Sequence, residues 1–331
     1  MLKLGIIGTN WITEQFIQAA LSTKKYQLTS VYSRTEEKAQ QVATKYEAGE
    51  VFTSLADFFA QGSFDVVYIA SPNSLHFEQA KAALEAGKNV IVEKPAFSNP
   101  TEMATITALL AKKPQLFLFE GARHVYEPNF QITKQAIQTL DQVQGATLVY
   151  MKYSSRYDQV LAGKTPNIFS PKFSGGSLQD LGVYVVYDAV SWFGVPDDVH
   201  YFANLLPTGV DGRGTAILTY PGFNVTLIFG KNATSYLPSE IYGLHETLVL
   251  SPNAADLAQV TRYQPDGKTV ELGEPADENP MTHEAEAFYS MMTTQDHQMA
   301  NSALKTSQAV NQVLFKLRQS AGIEFAADQG N

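Results

Sequence analysis

Cysteine is absent from the 331 residues. That excludes disulfides, thiolate nucleophiles and cysteine-ligated zinc or iron–sulfur centres. Basic charge is scarce: 24 Lys and Arg stand against 33 Asp and Glu, a formal net charge of −9, with no basic run. Such a chain is a poor binder of nucleic acid or anionic membrane, so neither is expected as a partner. A local basic pocket for one small phosphate ligand stays compatible with that balance. Long hydrophobic runs are missing too. The longest apolar tract, 181–195, is cut by Asp188 and is too short to span a bilayer. Met1-Leu2-Lys3 runs straight into Leu4-Gly5-Ile6-Ile7, too short for an export-signal core, so a cytoplasmic location is expected. His283-Glu284 lacks zinc-protease spacing, and no metal site is expected.

What the chain does have is core material. Hydrophobic residues make up 44% and aromatics 11%, and the length suggests about two domains. The first ~120 residues alternate strand and helix in units of βαβ length. Strands are expected at 3–7, 28–32, 66–70, 90–92 and 115–119, with helices at 12–21, 36–46, 77–86 and 101–111. This predicts a doubly wound parallel sheet in a domain spanning 1–120. Beyond it the texture changes to β-type runs at 146–153, 199–206, 214–220, 224–229, 244–250 and 259–263. Turns such as Asp211-Gly212 and Pro221-Gly222 separate them. One helix at 177–193 interrupts, and two close the chain near 282–294 and 303–321. The second domain, 121–331, is therefore expected to be α+β, with a large, mostly antiparallel open sheet and helices on one side. In strand 224–229 the face carrying Asn224, Thr226 and Ile228 is mixed rather than charged. It is a candidate contact between copies of the chain.

A glycine turn joins the first strand to the first helix: Gly8-Thr9-Asn10-Trp11-Ile12-Thr13. There a dinucleotide pyrophosphate would meet free amides and a positive helix end. The fingerprint G-x-G-x-x-G reads Gly8, Asn10, Thr13, so two glycines are replaced. Asn tolerates left-handed backbone better than most residues. From the motif alone, an ordinary βα turn without cofactor stays open. The second strand ends in Tyr32-Ser33-Arg34-Thr35, without the acidic residue that holds an NAD ribose; Lys38 follows. Cations there meet a 2′-phosphate, so NADP is favoured over NAD.

Two further stretches carry a family resemblance. Asp65-Val66-Val67-Tyr68-Ile69-Ala70-Ser71-Pro72-Asn73-Ser74-Leu75-His76 is followed by Lys88-Asn89-Val90-Ile91-Val92-Glu93-Lys94-Pro95. Gly175-Gly176-Ser177 leads to Asp180-Leu181-Gly182-Val183-Tyr184. Together they resemble the glucose–fructose oxidoreductase / inositol dehydrogenase (Gfo/Idh/MocA) family over nearly the whole chain. Tyr184 stands where the inositol-dehydrogenase type has His, as in the glucose–fructose oxidoreductase and dimeric dihydrodiol dehydrogenase type. The resemblance implies hydride transfer between nicotinamide C4 and a carbinol or carbonyl carbon of a sugar, polyol or cyclic diol. It implies Lys94 beside the nicotinamide and Tyr184 as proton donor or acceptor, with Asp180 orienting substrate hydroxyls or Lys94. Gly8, Thr9, Asn10, Trp11, Ile12, Ser33, Arg34, Lys38, Ser71, Asn73, His76, Glu93 and Lys94 are the expected cofactor contacts. Substrate is assigned to Lys94, Asn167, Asp180 and Tyr184. A homodimer or homotetramer through the second sheet is also implied.

The residues support those roles physically. Lys94 falls past the carboxyl end of a parallel strand, where open α/β sheets bind ligands, and Pro95 restricts its backbone. Free tyrosine titrates near ~10 and needs a neighbouring cation to act as a base near neutrality. In a helix from Ser177, Asp180, Tyr184 and Asp188 share a face at four-residue spacing. Ser177-x-x-Asp180 also reads as a capping box. His124, at the crossover between domains, is expected to border the cleft. His200, His245 and His297 have no partner pattern. The competing function is a dinucleotide-sensing regulator on the same scaffold, which would not need Lys94, Asp180 and Tyr184 together.

Overall fold

The computed structural model describes residues 1–329. From the N-terminus, β1 (Leu2–Ile7), α1 (Trp11–Ser22), β2 (Tyr26–Tyr32), α2 (Glu36–Lys45), β3 (Glu50–Phe52) and α3 (Leu55–Gln61) form the first half of a winding. Then β4 (Val66–Ile69), α4 (His76–Glu85), β5 (Asn89–Glu93), α5 (Pro100–Ala111) and β6 (Leu118–Gly121) complete it. Every pairing in this sheet is parallel, in the order β3-β2-β1-β4-β5-β6. β4 is buried at all four positions, as a strand covered on both faces must be. Ile7, Val67, Ile69, Val90 and Val92 pack with Phe58, Phe64 and Phe97 in its core. Helix ends follow local chemistry: the Asn10 side chain caps α1, Ser54 caps α3, and Asn99 caps α5 with Pro100 in its first turn. The edge strand β3 and helix α3 were not anticipated; the three half-buried residues of β3 give too short a pattern to read.

After the crossover come α6 (Pro128–Gln138), β7 (Val143–Met151), α7 (Tyr157–Leu161), a π-helical turn (Leu178–Gly182) and α8 (Val183–Phe193). The sheet continues with β8 (Asp198–Leu205), β9 (Asp211–Tyr220), β10 (Phe223–Gly230), β11 (Ser239–Gly243), β12 (Thr247–Pro252), β13 (Leu257–Tyr263) and β14 (Thr269–Glu271). Its order is β14-β13-β12-β11-β7-β10-β9-β8, antiparallel except for the parallel β10–β7 pair. In β10, Val225, Leu227 and Phe229 are buried while Asn224, Thr226 and Ile228 are not, the alternation expected of that strand.

The last helices are α9 (Thr282–Thr294) and α10 (His297–Ser320). Here the expected contiguous boundary at 120/121 needs correction. The compact units are Met1–Arg123 with Glu278–Ser307, and His124–Asp277 with Gln308 onward. The returning segment is tied to the nucleotide-type unit by Tyr26 Oη donating to the Ala285 carbonyl (2.8 Å) and Asn279 donating to the Gln15 carbonyl (3.0 Å). Phe119 stacks on Phe288 and Phe117 on His297. A linear reading of strands and helices contains none of these pairings, whose partners lie 169 or more residues apart.

Candidate functional site

In the first unit the expected residues gather past the carboxyl ends of β1, β2, β4 and β5. Gly8 has φ +111°, and a Cβ there would come within 2.7 Å of the Ala70 carbonyl oxygen, so the turn admits only glycine. Asn10, at the place of the second glycine, is extended (φ −97°), so the left-handed tolerance expected of it is not called on; it caps the helix instead. Its Oδ1 accepts from the Ile12 and Thr13 amides (3.0 and 3.1 Å), and its Nδ2 donates to the Ala70 carbonyl (2.9 Å). The β1–α1 turn is thereby laced to the end of β4. Thr13, fully buried, replaces the third glycine at the helix–strand contact. Trp11 is 72% exposed at the helix start.

Beside the turn lies a hollow of about 300 Å³ lined by Thr9, Glu14, Lys38, Gln41, Val42 and Lys45. Lys45 is ion-paired with Glu14, which raises its ammonium above the ordinary lysine value. Ser33, at the end of β2, is buried and its amide donates to the Phe52 carbonyl (3.1 Å); Arg34 and Lys38 are exposed. A glycine-only cradle beside a hollow lined by Lys38 and by the Lys45–Glu14 ion pair fits a phosphorylated dinucleotide.

At the end of β4, Ser71 Oγ donates to Gln79 Oε1 (2.7 Å), and Asn73 opens a 3₁₀ turn. His76 departs from its expected role as a cofactor contact. It is 1% exposed, with Nδ1 at 3.1 Å from the Pro95 carbonyl and Nε2 at 2.9 Å from that of Ser71. Burial pushes its imidazole below the ordinary value, and the Lys94 charge adds to that. A neutral ring has one N–H to give, so His76 donates to one of these two carbonyls and packs against the other, wedged between the β4 loop and the segment that carries Lys94. Glu93 is likewise internal. Its Oε1 accepts from Tyr68 (2.5 Å), its Oε2 from the Lys94 amide (3.3 Å), and burial raises its carboxyl. Glu120 accepts from the Ala96 amide (2.9 Å) on the other side of Pro95. The half-buried Lys94 therefore sits on backbone fixed from three directions; its peptide bond to Pro95 is cis.

In the second unit, the stretch 175–188 is built on a buried carboxylate that the sequence did not point out. Asp211 Oδ2 accepts from the Leu178 amide (2.7 Å) and from Tyr201 Oη (2.6 Å). Ser177 makes no capping bond, so the expected capping box is replaced by Asp211. Gly176, at φ +115°, lies so close that a Cβ would overlap Asp211 Oδ1. Asn167, the expected substrate contact, is exposed at the start of a 3₁₀ turn (Asn167–Phe169). The first turn after Ser177 is π-helical, and Asp180 lies in it. Its carboxylate is ion-paired with Lys231, just past the end of β10, whose side chain is 3% exposed against 23% for Asp180. Lys231 also lies over the Phe169 ring (5.4 Å). Its partner is 51 residues away, so no local spacing could reveal it.

Tyr184, 7% exposed, is flanked by Tyr150 (5.3 Å between ring centroids) and His124 (4.8 Å). Asp188, one turn on, is fully buried with Oδ1 at 3.3 Å from His124 Nε2. His124, expected to border a cleft, is 1% exposed. The expected polar stripe is therefore graded: Asp180 partly open, Tyr184 nearly closed, Asp188 internal. Of the histidines without a partner pattern, His200 and His245 pair with Asp198 and Asp141 at the surface. Among the described residues no group of three or more His, Asp or Glu is arranged to hold a metal ion, and no helix is long and apolar enough to cross a membrane.

Comparison with known proteins agrees with this architecture. The model of the oxidoreductase family with an NAD-binding Rossmann fold, Gfo/Idh/MocA, matches residues 2–121. The chain is 38% identical over 329 residues to the scyllo-inositol 2-dehydrogenase (NADP(+)) IolU of Bacillus subtilis (strain 168), covering 99% of this chain and 100% of that one. It is 39% identical over 329 residues to the uncharacterized oxidoreductase YgjR of Escherichia coli (strain K12), covering 99% of each. A crystal structure of a 3-ketoreductase from Actinomadura kijaniata in complex with NADP and TDP-benzene superposes with a TM-score of 0.83 at 19% identity. The match covers 96% of this chain and 97% of that one, a likeness of fold. By glycine turn, by the Glu93-Lys94-Pro95 strand end and by identity along its whole length, the chain belongs to the Gfo/Idh/MocA oxidoreductase family.

Proposed function

We propose that the protein is an NADP-dependent dehydrogenase or reductase acting on the carbinol or carbonyl group of a sugar, polyol or cyclic diol, with a cyclic polyol as the first candidate. The observation that carries this reading is identity of 38% along the whole chain to an enzyme named an NADP-dependent scyllo-inositol dehydrogenase. Lys38, which lines the hollow beside the Gly8 turn together with Thr9, supports the same cofactor. Gly8, Thr9, Asn10, Trp11 and Ile12 hold the pyrophosphate side. Ser33, Arg34 and Lys38 take the 2′-phosphate, with Ser71 and Asn73 along the β4 loop. When bound, the nicotinamide supplies a hydride acceptor or donor at its C4. Tyr184 accepts the hydroxyl proton in oxidation and returns it in reduction. Lys94 supplies the positive charge that lets a phenol do so near neutrality. Asp180, held by Lys231, and Asn167 bind substrate hydroxyls. We place the enzyme in the cytoplasm as a homodimer or homotetramer through the Thr226 and Ile228 face, without nucleic-acid partners. Both full-length relatives carry oxidoreductase names, and the regulator reading is set aside.

The test is NADP⁺ reduction with a panel of inositols, aldoses and cyclic diols, beside NADPH titration by fluorescence. Lys94→Ala and Tyr184→Phe should each cut turnover by about 10²–10⁴-fold while NADPH still binds. Normal turnover in both variants would remove the proposed proton transfer. Absence of NADPH binding by the parent would remove the whole reading.

A further inference from the structure

The interior of the second unit holds a titratable pair that the proposed chemistry does not use. Asp188 is 0% and His124 1% exposed, and Oδ1 lies 3.3 Å from Nε2. Their surroundings are aromatic: Phe130 is edge-on to His124 at 5.7 Å, Tyr187 at 5.9 Å, and Trp192 lies 5.2 Å from Phe130. Burying such a pair removes two polar groups from water, and apolar residues of similar volume usually stabilise a core as well or better. Packing alone gives α8 no reason to carry a carboxyl there, since every other buried position of the helix is aliphatic or aromatic. Location supplies a reason. Asp188 follows Tyr184 by one helical turn, and the imidazole lies 4.8 Å from the Tyr184 ring at an interplanar angle of 51°. Tyr150 closes another side of the same phenol at 5.3 Å, edge to face.

We infer that His124 and Asp188 are positioning residues for Tyr184: Asp188 fixes the imidazole, and the imidazole fixes the phenol in the orientation that moves the proton. The inference rests on Tyr184 having that proton role. A ring in a buried pocket holds a rotamer only as firmly as its neighbours are held. A brace of two short buried side chains packed against each other, Oδ1 3.3 Å from Nε2, is stiffer than one free ring. Loss of orientation at the proton-transferring atom lowers turnover without lowering affinity, because the displaced group acts in the transition state.

The experiment uses the full chain and reads kcat and KM for the best polyol of the panel, with NADPH affinity and Tm alongside. His124→Phe/Asp188→Leu replaces the pair by apolar side chains. It should fold with a Tm at or above the parent's and lose about tenfold or more in kcat, with KM and NADPH affinity within about twofold. In a Tyr184→Phe background the same pair of changes should cost nothing further, since the brace acts only through the phenol hydroxyl. Should the double variant not fold, Asp188→Asn, nearly isosteric, is read the same way. Unchanged kcat in a folded variant, or an equal loss in the Tyr184→Phe background, overturns the inference. If Tyr184→Phe itself turns over normally, the proton role of Tyr184 has failed instead, and the two failures are told apart.

Discussion

At Asp188, burial and then the nearby Glu127 charge push the carboxyl well above the ordinary aspartate range. A folded-state value above the unfolded one means that the folded chain holds the extra proton. The stabilising contribution is then complete below about pH 4 and is lost as pH rises through the folded-state value. Asp188→Asn cannot ionise, so its Tm should gain on the parent's as pH is raised from about 4 to about 8. Melting curves across that range check this, and a pH-independent difference contradicts it. Lys231 is the opposite case, a buried ammonium whose carboxylate partner still meets solvent. Lys231→Met should cost about 2–3 kcal/mol after allowance for that solvent, measured by urea unfolding. At the edge of β2, Arg34→Ala and Lys38→Ala should each weaken NADPH binding about tenfold and leave NADH unchanged, since each removes one charge-assisted contact to a 2′-phosphate. The places of Gly8, Arg34 and Lys94 were legible because each follows the end of a strand that the sequence marks. His124, Asp188, Asp211 and Lys231 were not, because each acquires its meaning from a partner brought close only by folding.

At the scale of elements, the segment from Asn167 to α8 is shaped by backbone approach rather than by side-chain pattern. A Cβ on Gly175 would come within 2.6 Å of the Ile168 carbonyl oxygen, and one on Gly176 would displace Asp211 from the amide it anchors. Gly176→Ala should therefore destabilise the protein by about 2–4 kcal/mol and lower turnover, read by thermal melting and kinetics; Gly163→Ala, where a Cβ meets nothing, serves as a control for left-handed strain alone. Strands with clear alternation, such as β10, and helices with caps, such as α5, could be read from sequence to within a few residues. The π-helical turn could not, since residues 177–193 carry one continuous helical pattern and the extra residue per turn leaves no mark in it. The short strands β3, β11 and β14 lacked enough residues to show a period.

At the scale of the molecule, the nucleotide-type unit borrows α9 and the start of α10 from the far end of the chain. Residues 1–123 alone would expose the α1 side that receives α9 and leave Lys25 without Glu286. Expressed alone, that fragment should aggregate or melt well below the full chain; cooperative melting at the parent's temperature would contradict the division. Strand-and-helix texture placed the change of architecture near residue 121, where it occurs, but sequence order concealed the return. The account as a whole stands on proton transfer by Tyr184 in an NADP-linked oxidation. The most direct measurement is the steady-state rate of NADP⁺ reduction with a cyclic polyol by the parent and by Tyr184→Phe, with NADPH affinity measured on both. The account predicts turnover by the parent, a fall of about 10²-fold or more in the variant, and equal NADPH binding. Equal turnover by the two proteins would contradict it.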